Sequence, residues 1–486
     1  MKHYLPLAAL WLLGLQPAST QNAAYPDTTF TNYFRRESGW TAGDATLSIP
    51  LPNNKVLWLF GDSYIDNYNP ADTSLPCMFQ VRNAAMLQTK SNPNQMTTLL
   101  DYSQSGINRT LFKLSNNELP YYYFWPGHGY VHGDTVYIFL QRYHTPQGSS
   151  QINHVGTYLA KMLLPNLELV GIYALPATDG IFFGRWVFVP VNGNYIFVYG
   201  NKIHDVPFGN GTLKVWKPYV ARVPINNPMG PWQFRTSNSW SNDPAQAAPI
   251  STHGVSPGFS VLRRDGDLYL ITQQNGYLQC GSGREIYSIK GGAAPWEPFT
   301  SKQTIYVAPD QYNGRYLLTY NAYVHPSWNR KEGLLISYNV NDHSDTSKYK
   351  NCPSQCFYGN TRNADTYRPK FIRLPWSALT GNGLAPSSNG HAAEKAAIAP
   401  AQTLQLRCFP NPASDHLQVT FELPSATPVF IEVRSLTGQV VYTAQTVEQV
   451  AGEHNESIEL DRWPPGVYIL RVQAAGQEVA QKIVKQ

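Results

Sequence analysis

From about Ala23 to Trp376 short runs rich in apolar residues repeat one grammar, a strand, a tight turn and a second strand, and helical periodicity is almost absent. The runs come in pairs joined by turn residues. The second run of each pair is rich in aromatic and β-branched residues: VLWLF (56–60), TVYIFL (135–140), YIFVYG (195–200), LYLIT (268–272) and LLISYN (334–339). The turns before them are Asn53-Asn54, Gly133-Asp134, Asn192-Gly193, Asp265-Gly266 and Glu332-Gly333. Several are of the Asn-Gly or Asp-Gly type that suits two-residue hairpins, because these residues tolerate positive φ. Five units of one grammar predict an all-β body, a five-bladed β-propeller over residues 21–378. A β-sandwich would also give many short strands, but not five units alike.

Propeller geometry orders the residues. If the first strand of each hairpin lines the channel, its start and the end of the second strand share one face. The first hairpin runs Ala45–Leu51, a turn at Pro52-Asn53-Asn54-Lys55, then Val56–Phe60, with Asp44 just before it and Asp62 just after. The two aspartates are therefore expected to face each other at the channel mouth, roughly 5 Å apart at Cβ. Two carboxyls that close cannot both ionise freely, which is the raw material of acid/base catalysis. The same rule brings His128, Arg142, Arg185, Asn201, Gln273, Tyr320, His325 and Asn339 to that mouth. It sends Asp134, Asp265 and Asp267 to hairpin turns on the far side, where turn chemistry explains them.

The ends differ from the middle. Met1–Thr20 has Lys2, an apolar run Leu5–Leu15 and then Ala18-Ser19-Thr20, the pattern of a secretory signal peptide (residues 1–20). No other segment reads as transmembrane, so the mature chain is expected to lack a span. Residues 379–403, rich in Ala, Pro, Ser, Gly and Asn, read as a flexible linker. Residues 404–486 read as a small immunoglobulin-like β-sandwich, with strands such as LQVTFEL (417–423) and GVYILRVQA (466–474). The chain has 486 residues, a formal net charge of +5 and only 14% charged residues, without a long basic run, which argues against a nucleic-acid partner. Five cysteines are too few for a disulfide scaffold; Cys352 and Cys356 could close a small loop, and the odd count leaves at least one thiol free.

The terminal segment resembles the C-terminal sorting domain of the type IX secretion system of Bacteroidetes. The resemblance lies in Phe409-Pro410-Asn411-Pro412, VRSLTGQVV (433–441), PGVYILRV (465–472) and the terminal QKIVKQ. It implies handling by the type IX machinery, export through the periplasm, and a secreted or cell-surface location. The body is similar to the domain-of-unknown-function families 4185 and 5005, glycoside-hydrolase-like propellers. The motifs are Gly43-Asp44, Leu57-Trp-Leu-Phe-Gly-Asp62, Val81-Arg82-Asn83-Ala84, Phe124-Trp-Pro-Gly-His-Gly129, Tyr323-Val-His325-Pro and Leu335-Ile-Ser-Tyr-Asn-Val-Asn341. The first of these families is linked to endo-acting arabinan hydrolysis, so the resemblance implies an arabinan-like or other poly- or oligosaccharide substrate. It also allows a channel-bound Ca²⁺, for which no ligand set can be read; no other cofactor and no metal site are expected. The better-known family 43 and 32 hydrolases place a general-acid Glu in the middle blades, whereas this chain has none between Glu168 and Glu285.

The expected reading is a secreted carbohydrate-active protein that cleaves glycosidic bonds with Asp44 and Asp62. The alternative is a non-catalytic glycan-binding or surface-interaction propeller, which needs no carboxyl pair. Arg82, Asn83, Trp125, His128, Arg185, Tyr320, His325 and Asn339 are the candidate substrate-binding residues: guanidinium forks for oxygens, aromatic faces for sugar rings, amides and imidazoles for hydroxyls. Asp179, Asp205 and Glu285 are candidates for a third carboxylate.

Overall fold

The computed structural model describes residues 23–149, 151–208, 211–274, 280–281, 283–342, 355–358, 360–380, 405–423, 427–435, 439–449, 452–461, 463–474 and 477–486. The expected signal peptide, Cys352 and nearly all of the expected linker lie outside them. The described chain is almost wholly β, and it divides into two units, residues 1–204 with 215–386, and 205–214 with 387–486.

The first unit holds five antiparallel sheets that follow one another along the chain. Sheet one is Leu47–Leu51, Lys55–Phe60, Ala84–Thr89 and Asn92–Leu99. Sheet two is Tyr122–His132, Thr135–His144, Asn153–Leu163 and Glu168–Ala174. Sheet three opens with Phe182–Phe188 and Tyr195–Phe208, and sheet four with Phe259–Arg264 and Asp267–Gln273. Sheet five is Leu318–Val324, Gly333–Asn341 and Lys370–Pro375, with Tyr25–Pro26 from the start of the described chain added at its outer edge. That edge is sealed by charge: Arg373 Nη2 lies 2.7 Å from Asp27 Oδ2, and Asp27 Oδ1 also caps the short helix Thr28–Asn32 by accepting from Phe30 N–H. The opening strands neighbour one another in turn from sheet one to sheet five. His325, just past the fifth opening strand, returns to the first through a 2.8 Å hydrogen bond to Ser48 Oγ.

A buried amide fastens each sheet to the next. Gln141 Nε2 donates to Phe183 O of sheet three, Asn201 Nδ2 to Ser256 O and Pro257 O before sheet four, and Gln273 Nε2 to Thr319 Oγ1 of sheet five. Asn339 Nδ2 closes the circuit on Gly43 O and Thr46 Oγ1. These four sit on second strands, at the point where the hydrophobic run gives way to a polar residue. In sheet one that place belongs to Asp62, and Asn83 does the fastening, donating to Phe112 O and Phe124 O and accepting from Phe112 N–H. All five amides are fully or almost fully buried, so each bond replaces one that water can no longer supply.

The second unit places Gln405–Phe409, His416–Leu423 and Gly452–Glu459 in one sheet, and Val440–Gln449, Thr427–Ser435, Gly466–Ala474 and Gln477–Lys485 in another. The two share one apolar core that includes Leu417, Val419, Ile431, Val433, Leu470 and Val472. The free thiol Cys408 is buried there. The expected Cys352–Cys356 loop is corrected: Cys356 bonds to Cys77, 279 positions away, because strand Thr361–Asn363 pairs with Ser74–Pro76 and brings the two segments together.

Candidate active site

The first hairpin is longer than its sequence suggests. Beyond the aspartates it continues as a two-stranded ribbon, Trp40–Gly43 against Ser63–Ile65. Gly43 faces Ser63 on one side of the pair and Leu47 faces Leu59 on the other. That common register makes Asp44 and Asp62 facing residues at the break between ribbon and sheet. Gly61 N–H donates to Asp44 O across the break at 2.9 Å. The chain turns there through Ala45, whose φ of +57° is a left-handed conformation that costs an ordinary residue energy. Gly61 is required by the carboxyl itself: a Cβ at this position would lie 2.4 Å from Asp44 Oδ1.

The two carboxyls differ in their surroundings. Asp44 Oδ2 accepts from Tyr320 OH at 3.3 Å and Tyr367 OH at 3.4 Å. Burial first, and the charge of Asp62 second, push Asp44 up to about 8 against these bonds. Asp62 Oδ1 lies 3.5 Å from Arg82 Nη1 and accepts from Trp125 Nε1 at 3.3 Å. Burial raises Asp62 too, but Arg82 and Trp125 restrain it at about 6. Arg82 is itself clamped, its guanidinium 4.0 Å from the Tyr123 ring centroid and one nitrogen on Pro120 O. Of the two, Asp44 is therefore the carboxyl held further toward its protonated form.

Asp62 lines a cavity of about 210 Å³. Its far wall is built by the Cys77–Cys356 bond and by the buried ion pair of Asp342 with Arg362. Arg362 also lies 4.6 Å from the ring of Tyr367, the phenol that serves Asp44. Tyr367, Asp342 and Arg362 escaped sequence reasoning: they stand outside the hairpin grammar, and their places depend on the long-range pairing of Thr361–Asn363.

The candidate binding residues divide. Arg82, Trp125 and Tyr320 do meet the aspartates. Arg185 is joined to them at one remove: its Nη2 donates to Tyr143 OH at 3.2 Å, and the Tyr143 ring lies 4.7 Å from that of Trp125. Asn83 and Asn339 do not bind substrate in this geometry; they are the buried inter-sheet fastenings described above. His128 and His325 are corrected on the same ground. His128 accepts from Val187 N–H, places Nε2 3.2 Å from Ser48 O and stacks on Trp186 at 3.7 Å. His325 is held between Ser48 Oγ and Ser337 Oγ, 2.8 Å on each side. Both rings are buried, which drives His128 down to about 3 and His325 well below its usual range. The three further acids are not brought to the pair either. Asp179 pairs with Lys202 at 2.7 Å and Asp205 with Lys214 at 3.0 Å, both exposed. Glu285 opens the strand Glu285–Lys290 with no bond to Asp44 or Asp62. Among the described residues no group of three or more His, Cys, Asp or Glu is arranged to hold a metal ion.

A family model described as Domain of unknown function (DUF5005) matches residues 27–382, and the chain belongs to that family. A second, described as Secretion system C-terminal sorting domain, matches residues 407–486. No curated protein matches the chain. Among solved structures, a putative hydrolase from Bacteroides ovatus is similar over 74% of this chain and 92% of its own, at 21% identity and a TM-score of 0.58. A glycoside hydrolase family 43 arabinoxylan arabinofuranohydrolase from Bacillus subtilis is similar over 96% and 99%, at 14% identity and a TM-score of 0.38. A family 32 β-fructofuranosidase from Bombyx mori follows at 10% identity, 93% and 89% coverage, and a TM-score of 0.37. The body has a β-propeller fold, and the sorting tail marks the protein for export. No helix among the described residues is long and apolar enough to cross a membrane.

Proposed function

We propose that the protein is an exported glycoside hydrolase, its five sheets the blades of one propeller and its catalytic groups Asp44 and Asp62. The observation that carries this is the facing pair, two buried carboxyls with different partners: two phenols on Asp44, an arginine and an indole on Asp62. Glycosidic cleavage needs one carboxyl to protonate the leaving oxygen and a second, ionised, to attack the anomeric carbon or activate water. Asp44, protonated and in contact with two phenols, is the acid. Asp62, ionised and steadied by Arg82 and Trp125, is the nucleophile or base. Facing positions about 5 Å apart at Cβ favour the closer spacing of retaining enzymes. The cavity beside Asp62 receives a sugar unit, and its lining includes the aromatic residues Tyr64, Phe79 and Tyr367. An arabinan-like substrate is one member of the class to try first.

The test is hydrolysis of a panel of plant and microbial glycans by wild type, Asp44→Asn and Asp62→Asn. Release of new reducing ends by wild type and a loss of about 10³-fold or more in each variant is expected. Full activity in either variant would remove the assignment, and binding without turnover across the panel would make the protein a glycan-binding module.

A further inference from the structure

Arg185 differs from Arg82 and Arg142 in its partners. Arg82 has Asp62 and Arg142 has Glu118, at 3.5 and 2.7 Å. Arg185 has no carboxylate within ion-pair distance among the described residues, and its Nη2 donates to the phenol of Tyr143. Its Nε is buried and without a hydrogen-bond partner, as are those of Arg82 and Arg142. The guanidinium is half-buried, with the face of Phe182 5.5 Å from its centre. Its neighbour His154 is kept neutral, by burial and then by the Arg185 charge, and its Nε2 is occupied with Gln141. A half-buried cation with spare N–H groups and no carboxylate beside it can take an anion through its fork.

The position of this cation is specific. Asp62 bonds Trp125, Trp125 packs on Tyr143, and Tyr143 bonds Arg185. The path crosses from sheet one through sheet two to sheet three by way of aromatic rings, Trp125 and Phe182 partly exposed and Tyr143 buried between them. We propose that Arg185 is the receptor for an anionic group, a uronate carboxylate or a sulfate ester, on a sugar unit adjoining the one cleaved between Asp44 and Asp62. The planar fork accepts two oxygens of such a group in parallel, as a hydroxyl cannot offer. Cleavage between Asp44 and Asp62 rests on the glycosidase reading; the anion site stands on Arg185 itself.

The experiment measures binding with turnover silenced. Asp44→Asn protein is titrated calorimetrically with uronate oligosaccharides (glucuronate, galacturonate and mannuronate series), with each one's carboxyl-reduced neutral counterpart, and with sulfated galactose oligosaccharides. At least one acidic ligand is expected to bind tenfold or more tighter than its neutral match, and the series that does so tells carboxylate from sulfate. Adding Arg185→Gln should abolish that preference, and Arg185→Lys should retain part of it, with thermal melts showing both variants folded. The proposal is overturned if no acidic ligand is preferred, absence of all binding included, or if the preference survives Arg185→Gln. Wild type that turns over nothing while the preference holds would sink the hydrolase reading and leave the anion site standing.

Discussion

Replacing Asp44 by Asn should stabilise the protein at neutral pH while destroying its chemistry. The sign follows from proton binding. The folded carboxyl keeps its proton up to about pH 8, whereas the unfolded one loses it near 3.8. Between those values the folded state binds more protons, so wild-type stability falls as pH rises. Titrating from 3.8 to pH 7 at about 1.4 kcal/mol per pH unit gives about 4 kcal/mol, an upper figure for the burden at neutrality. Asparagine cannot ionise and removes this burden, while its amide can still accept from the Tyr320 and Tyr367 hydroxyls. The stability difference between variant and wild type should therefore be small at pH 4.5 and grow steadily toward pH 8. For a body of this size, 4 kcal/mol corresponds to roughly 5 °C in Tm. Urea or thermal unfolding of both proteins at pH 4.5, 6, 7 and 8 measures it, with activity followed in parallel. A stability difference that is flat with pH would refute the reasoning, for Asp44 would then titrate as an ordinary carboxyl. Restored stability with full activity would refute the role assigned to its proton.

Other outcomes follow from the same geometry. Activity should trace a bell against pH with limbs near 6 and 8, values that belong to the coupled pair; a profile still rising at pH 10 would contradict it. Tyr367→Phe removes one of the two donors to Asp44 and should move the alkaline limb upward while leaving the melting temperature within a few degrees. Gly61→Ala drives a methyl into Asp44 Oδ1 and should cut kcat/KM about 100-fold or more, read by steady-state kinetics. Asn83→Leu strands Phe112 O, Phe112 N–H and Phe124 O, and should cost at least about 3 kcal/mol by denaturant titration; under 1 kcal/mol would mean that the amide fastenings are not structural.

The strand pattern, the hairpin turns and the facing aspartates were legible in the sequence because all three are local. Paired apolar runs, an Asn-Asn turn and two carboxyls equidistant from it need no knowledge of the rest of the chain. His128 and Asn339 misled for a physical reason. A polar side chain at a strand end reads identically whether it meets a ligand or the backbone of the next sheet, and only the fold decides. Tyr367, Arg362 and Cys77 were illegible because their places are set by pairings across almost 300 positions, such as Arg362 opposite Leu75. The recurrence of Gln141, Asn201, Gln273 and Asn339 on second strands was a readable signal, but its meaning required the neighbouring sheets.

That recurrence explains why the candidate site lies in sheet one. In sheets two, three and five the residue facing the amide is Trp125 opposite Gln141, Phe182 opposite Asn201 and Tyr320 opposite Asn339. The equivalent places in sheet one hold Asp62 and Asp44. Two of the facing aromatics, Trp125 and Tyr320, turn their polar atoms toward these two carboxyls, one to each. Four sheets thus spend the position on fastening themselves to a neighbour. The fifth can use it for a carboxyl only because Asn83, on a different strand, takes over the fastening. A pair of half-protonated acids would weaken a sheet boundary if it had to hold that boundary together, since each charge state makes different bonds. With the structural load on Asn83, a change of protonation at Asp44 or Asp62 leaves that boundary held, as the acid/base role proposed for the pair requires.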